Sequence, residues 1–252
     1  MRNGRCLVAS MFLVSVSVAA GAHAADEPLT AMQTAVACAI PPTIDLPAPD
    51  ALRIVGAQDT APRLLYGPDD LLVIEGGTAR NLELGQRFFV RRTDWFGPYG
   101  GGTGPHATRT AGWIRIVAVN ETTSMAAVEH VCTGMMEGDY LEPFVAPAVP
   151  ATANRNDASG DLDFKDLGHV GYGERLRTTG GIGDFMLIDR GADQNTETGA
   201  RFAVYRDVHK PGVPLAPVGE AVVVSVGRAL SVVRITAARD AIDRGDFIVP
   251  RR

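Results

Sequence analysis

Apolar residues in this chain recur in short runs broken by Gly, Asp, Asn or Pro. Beyond residue 24 they keep no 3.6-residue period over any long stretch. Leu71–Glu75 and Phe185–Asp189 are apolar runs ending at a glycine turn, and Arg87–Arg92 alternates, with Phe88 and Val90 on one face, as Arg201–Arg206 does again. Further runs are Trp113–Val119, Met125–Val131 and Tyr140–Leu141, and then Glu220–Val226, Val232–Ala237 and Phe247–Val249. Weaker strands open near Arg53–Val55 and His169–Val170. Period-two alternation marks strands with one buried face, and the intervening Gly and Asp mark turns. The best candidates for helix are the short turns Val131–Glu137 and Ala238–Arg244.

These runs come in two matching series. Asp70–Arg92 lies over Asp184–Arg206 without a gap at an offset of 114, with identity at Asp70/Asp184, Ile74/Ile188, Gly77/Gly191, Asn81/Asn195, Glu83/Glu197, Gly85/Gly199, Arg87/Arg201, Phe88/Phe202, Val90/Val204 and Arg92/Arg206. A second block aligns at an offset of 107: Gly112/Gly219, Val117/Val224, Val119/Val226, Ser124/Ser231, Gly138-Asp139/Gly245-Asp246 and Pro143/Pro250. Upstream, Val55-Gly56 lies over Val170-Gly171 at an offset of 115. Near-equal offsets in chain order define a tandem duplication. The pattern predicts an all-β protein: two small antiparallel barrel-like domains of about six strands each, joined by a linker rich in Pro, Ala and Asp.

The expected divisions are a signal peptide over 1–24, an extended N-terminal arm over 25–51, a first repeat over 52–143, a linker over 144–167 and a second repeat over 168–250. Shared glycines are expected to supply positive φ angles in the loop between two strands. The shared Gly-Asp reads as a tight turn whose carboxylate accepts from backbone amides. The shared arginines are expected to pair with Glu83/Glu197 or Asp70/Asp184.

Composition adds the compartment. Arg2 and Arg5, the uncharged run Leu7–Ala20 and the Ala22-His23-Ala24 cleavage pattern read as a secretory leader. The run is too short to span a bilayer, and no later run is long enough. The expected location is therefore periplasmic or extracellular. Net charge is −5, which offers no basic field for nucleic acid. Cys38 and Cys132 remain after leader removal, and in an oxidising compartment they are expected to form a disulfide that clips the arm to the first barrel.

Little catalytic chemistry is visible. The two lysines, Lys165 and Lys210, lie outside any phosphate-loop pattern, and Gly180-Gly181-Ile182-Gly183 precedes a strand rather than following one. His130 and Cys132 share a strand face, but two ligands without visible partners do not make a metal centre; no metal and no cofactor is expected. The loop after Arg92 is about seven residues longer than its counterpart after Arg206 and carries Trp95, Phe96 and Tyr99 among glycines. Aromatics on such a loop suit a sugar face or a protein partner, so these three are the candidate binding residues.

The order of a strand, G-x-x-x-N-x-x-x-G-x-R-F-x-V-x-R, a loop, G-x-x-x-x-V-x-V and a closing G-D-x-x-x-P resembles a bacterial envelope module. That module is the C-terminal β-domain found beside LysM peptidoglycan-binding domains and in the flagellar assembly protein T family. Leu72–Arg92 with Gly112–Pro143, and Leu187–Arg206 with Gly219–Pro250, carry the resemblance. It implies a non-catalytic envelope protein whose partners are an envelope protein or a glycan. The alternative is a secreted hydrolase with a dispersed site.

Overall fold

The computed structural model describes residues 28–59, 63–95 and 106–252, with only the backbone of Trp95 and His106. The leader region therefore lies outside the described residues. One helix, α1 (Ala31–Cys38), precedes the first series of strands: β1 (Ile54–Ala57), β2 (Leu71–Glu75), β3 (Arg87–Trp95), β4 (His106–Val119), β5 (Thr123–Val131) and β6 (Tyr140–Pro143). The second series is β7 (Gly168–Gly173), β8 (Thr179–Gly180), β9 (Phe185–Ile188), β10 (Arg201–Arg206), β11 (Ala216–Val226), β12 (Ser231–Ala238), β13 (Ile242–Asp243) and β14 (Phe247–Arg251). No helix among the described residues is long and apolar enough to cross a membrane.

Both repeats have the same strand order. The first runs β1-β2-β5-β4-β3-β6, and the second, β7-β9-β12-β11-β10-β14, closes as a barrel where β14 pairs with β7. The first comes round on itself through an isolated bridge between Arg53 and Tyr140. Each barrel has its own core: Ile54, Leu72, Ile74, Val90, Ile114 and Ile116 in one, and Val170, Met186, Ile188, Val204, Val223 and Ile248 in the other.

The hydrogen bonds show why the duplicated residues recur. Arg92 grips Asp139 through both carboxylate oxygens at 2.6 Å and donates to the Gly134 carbonyl. Arg206 grips Asp246 in the same way and donates to the Ala241 carbonyl. The same aspartates accept from the amides of Met136 and Asp243, as the Gly-Asp turn predicted. The Asp246 contact also raises the Arg206 guanidinium pKa further. The arginine pairing expected from sequence is corrected: Arg92 and Arg206 take the turn aspartates, Arg87 pairs with Glu129, and Arg201 with Asp157. Asp70 and Asp184 instead meet Arg63 and Arg177.

The glycines divide into two kinds. Gly85 and Gly199 have the expected positive φ, 82° and 90°. Gly77 and Gly191 are extended, at −147° and −134°. Their requirement is space, because a Cβ at either would lie 2.1 Å from the Asn120 carbonyl oxygen or 2.4 Å from that of Arg228.

Three further expectations are corrected. The arm is not extended throughout, because Ala31–Cys38 is helical, with Thr30 and Gln33 forming a capping box at its start. The segments proposed as helical turns are not helices: Met135 bridges Tyr66, and at the equivalent place β13 pairs with β8. Strand pairing also aligns Ile54 with Val170, since both oppose the Ile74/Ile188 position, so the upstream register is shifted by one residue from the sequence match.

Helix α1 lies between the barrels. Val36 and Ile40 pack with Leu187, Val224 and Val232 of the second, while Ala37 packs with Phe89 and Trp113 of the first. The predicted disulfide joins Cys38 to Cys132, with Cα atoms 5.4 Å apart. Beside it, the Thr110 hydroxyl donates to the Ala39 carbonyl at 3.3 Å and accepts from Arg91. Burial lowers the Arg91 pKa despite its Glu142 partner. The linker is docked as well: Leu162 bridges Arg251, and Arg234 donates to the Ala153 carbonyl.

Candidate functional site

Equivalent positions that differ between two copies of one fold are where a specialised role can sit, since what both copies share is absorbed by the barrel. The clearest cluster of such differences lines a groove of about 410 Å³ on the second barrel. His169 and Asp189 lie there on β7 and at the end of β9, with Tyr172 on β7 and Arg244 in the turn before β14. In the structural register, the first repeat has Arg53, Glu75, Gly56 and Glu137 at those positions.

Asp189 fixes the histidine. One carboxylate oxygen accepts the His169 backbone N–H at 2.6 Å, and the other lies 3.0 Å from the ring Nδ1. The ring also packs against Phe247, with centroids 5.1 Å apart. Nε2 is thus the ring nitrogen left for a ligand. The Arg244 guanidinium stacks over Tyr172 at 4.3 Å from the ring centroid and has no carboxylate partner among the described residues. Leu187 and Leu230 contribute apolar surface, and Thr43 and Ile44 of the arm form a wall. The arrangement offers one cation, one oriented imidazole and an apolar surface, which suits a ligand carrying a carboxylate beside apolar groups.

The long hairpin of the first repeat reaches the same place. Pairing between β3 and β4 continues beyond Arg92↔Arg109 to Thr93↔Thr108, Asp94↔Ala107 and Trp95↔His106, whereas β10 and β11 end at Arg206↔Ala216. Ala107 lines the groove on the second barrel. Trp95 therefore ends a hairpin that touches the groove wall. Phe96 and Tyr99 lie outside the described residues.

The other sequence candidates fall elsewhere. His130 stacks on Trp113 at 4.3 Å, away from the groove, and sits beside Cys38 and Cys132. Sequence reading missed His169, Tyr172, Asp189 and Arg244 as a group. Their signal is departure from the first repeat, already present at the sequence offsets for Asp189 over Glu75 and Arg244 over Glu137; what the sequence does not show is that these positions share one groove with His169 and Tyr172. Compared with known proteins, the chain matches no family model and no curated protein.

Proposed function

We propose that the protein is an exported, non-catalytic binding or scaffold protein of the cell envelope, and that its ligand seats in the groove of the second barrel. The observation that carries this reading is Arg244, a cation stacked on Tyr172 at a groove beside an oriented His169. The leader pattern and the disulfide support export. The likeness to LysM-associated modules supports an envelope ligand, either a protein segment or a glycan bearing carboxylates. The candidate aromatics Trp95, Phe96 and Tyr99 belong to the stretch of sequence between Asp94 and Ala107, and Ala107 lines the groove.

The test uses isolated peptidoglycan sacculi and solubilised envelope proteins as probes. Arg244→Glu is expected to lower the bound fraction with an affinity loss of about tenfold or more, as removal of a charge-assisted contact implies. Its thermal midpoint should stay unchanged, because Arg244 lies outside the core. Replacing Trp95, Phe96 and Tyr99 together by alanine is expected to weaken the same binding, by roughly 1–2 kcal/mol per aromatic. Equal binding by wild type and Arg244→Glu to every probe would count against the groove. A large loss of thermal stability in the triple variant would make the aromatics packing residues.

The His169–Asp189 pair favours one second reading, a secreted hydrolase using His169 as a base. That reading predicts turnover of ester or amide substrates that His169→Ala abolishes.

A further inference from the structure

The disulfide and its neighbour carry a second, independent chemistry. The ligating atoms of Cys38, Cys132 and His130 all lie within 4.8 Å of one another, and each residue is partly buried. They come from two elements: Cys38 ends α1, and His130 and Cys132 lie two positions apart at the end of β5 and just beyond it. The sequence alone gives two donors on one strand, and the packing of α1 supplies the third. We propose that this trio is a Zn2+ site in the reduced protein, exclusive of the disulfide.

The geometry suits the ion. Two thiolates on one tetrahedral zinc sit roughly 3.8 Å apart, given Zn–S bonds of about 2.3 Å. Rotation of the two side chains opens the sulfurs to that separation without moving backbones whose Cα atoms are 5.4 Å apart. His130 stacks face to face on Trp113, with an interplanar angle of 17°, so its ring is held while its edge nitrogens stay available for coordination in the ring plane. Two thiolates and one imidazole make a soft donor set suited to zinc, and three protein ligands leave the fourth position to water. The second repeat has Ala237 and Arg239 at the places of His130 and Cys132, so it offers no copy of the site.

The redox step balances with a dithiol as reductant. The dithiol gives two electrons and two protons to the Cys38–Cys132 bond and becomes a disulfide itself. Zinc then displaces the two thiol protons and binds the thiolates. A small-molecule disulfide reverses this: it takes the two electrons from the thiolates and two protons from solvent to become a dithiol, while the Cys38–Cys132 bond closes and the ion is released.

The test titrates the full chain without its leader, oxidised or reduced, with Co2+ as a coloured probe and then with Zn2+. The reduced protein is expected to take one equivalent of Co2+, with a thiolate-to-cobalt charge-transfer band that one equivalent of Zn2+ abolishes, and the oxidised protein none. His130→Ala is expected to keep the band but weaken metal binding by at least about tenfold. Cys38→Ser with Cys132→Ser should remove it. If reduction costs the chain its fold, one equivalent of Zn2+ is expected to restore the far-ultraviolet strand signal in wild type and not in His130→Ala. No band in the reduced folded protein, no rescue of an unfolded one, or binding indifferent to His130→Ala overturns the proposal.

Discussion

Replacing Cys38 and Cys132 together by serine is expected to destabilise the protein by about 4–5 kcal/mol, because the bond closes a long loop, 94 residues in separation, in the unfolded chain. For a chain of this size that corresponds to a fall in thermal midpoint of about 10–15 °C. Each barrel has its own core, so the strand signal should survive below the new midpoint. The loss should centre on α1, which touches both barrels and ends at Cys38. Protection of the Ala31–Cys38 amides from hydrogen exchange is therefore expected to fall before that of β4 or β11. A midpoint shift under about 3 °C in non-reducing buffer would show that packing alone holds the helix.

The second large effect lies at the turn aspartates. Asp139 is only 2% exposed at its side chain, and it satisfies Arg92 with two hydrogen bonds and the Met136 amide with a third. Asp139→Ala leaves a largely buried guanidinium without its partner and is expected to cost about 3–5 kcal/mol, read by denaturant unfolding. Asp246→Ala breaks the equivalent Arg206 contacts but leaves that guanidinium its Asp240 and Asp243 partners, so it is expected to cost less, about 1–3 kcal/mol. A clear loss at both positions, larger at Asp139, would show that the duplication preserves a mechanical part. A loss below about 1 kcal/mol at either position would contradict that role.

The duplication made much of this fold legible from sequence. Alternation at Phe88/Val90 and Phe202/Val204 found the inward faces, and the Gly-Asp turns behaved as read because their chemistry is local. What escaped was non-local. Helix α1 is too short to show a period, and it exists against two barrel surfaces that sequence cannot bring together. For the same reason Phe89 and Val224, outward by alternation, are buried under it. Another case of diverged chemistry is the outer face of β4 and β11. The first repeat packs Trp113 against Phe144 there, and the second sets Glu220 on Arg251 at the equivalent positions. The groove was missed because its residues come from β7, β9, a turn, the arm and the other repeat's hairpin. No spacing rule joins such a set, and the Val-Gly pair shared at an offset of 115 drew the upstream match one residue away from the register that β1 and β7, each with the same bulge, adopt.

The most direct test of the groove as the binding site uses the first repeat as an internal control. A photo-crosslinking phenylalanine analogue is placed at Tyr172, or at Arg53, the first-repeat equivalent of His169, and the exported protein is irradiated in its own cell envelope. The account predicts one dominant adduct from position 172, lost when Arg244→Glu is added, and none above background from position 53. Equal labelling from both positions, or an adduct at 172 indifferent to Arg244→Glu, would contradict it.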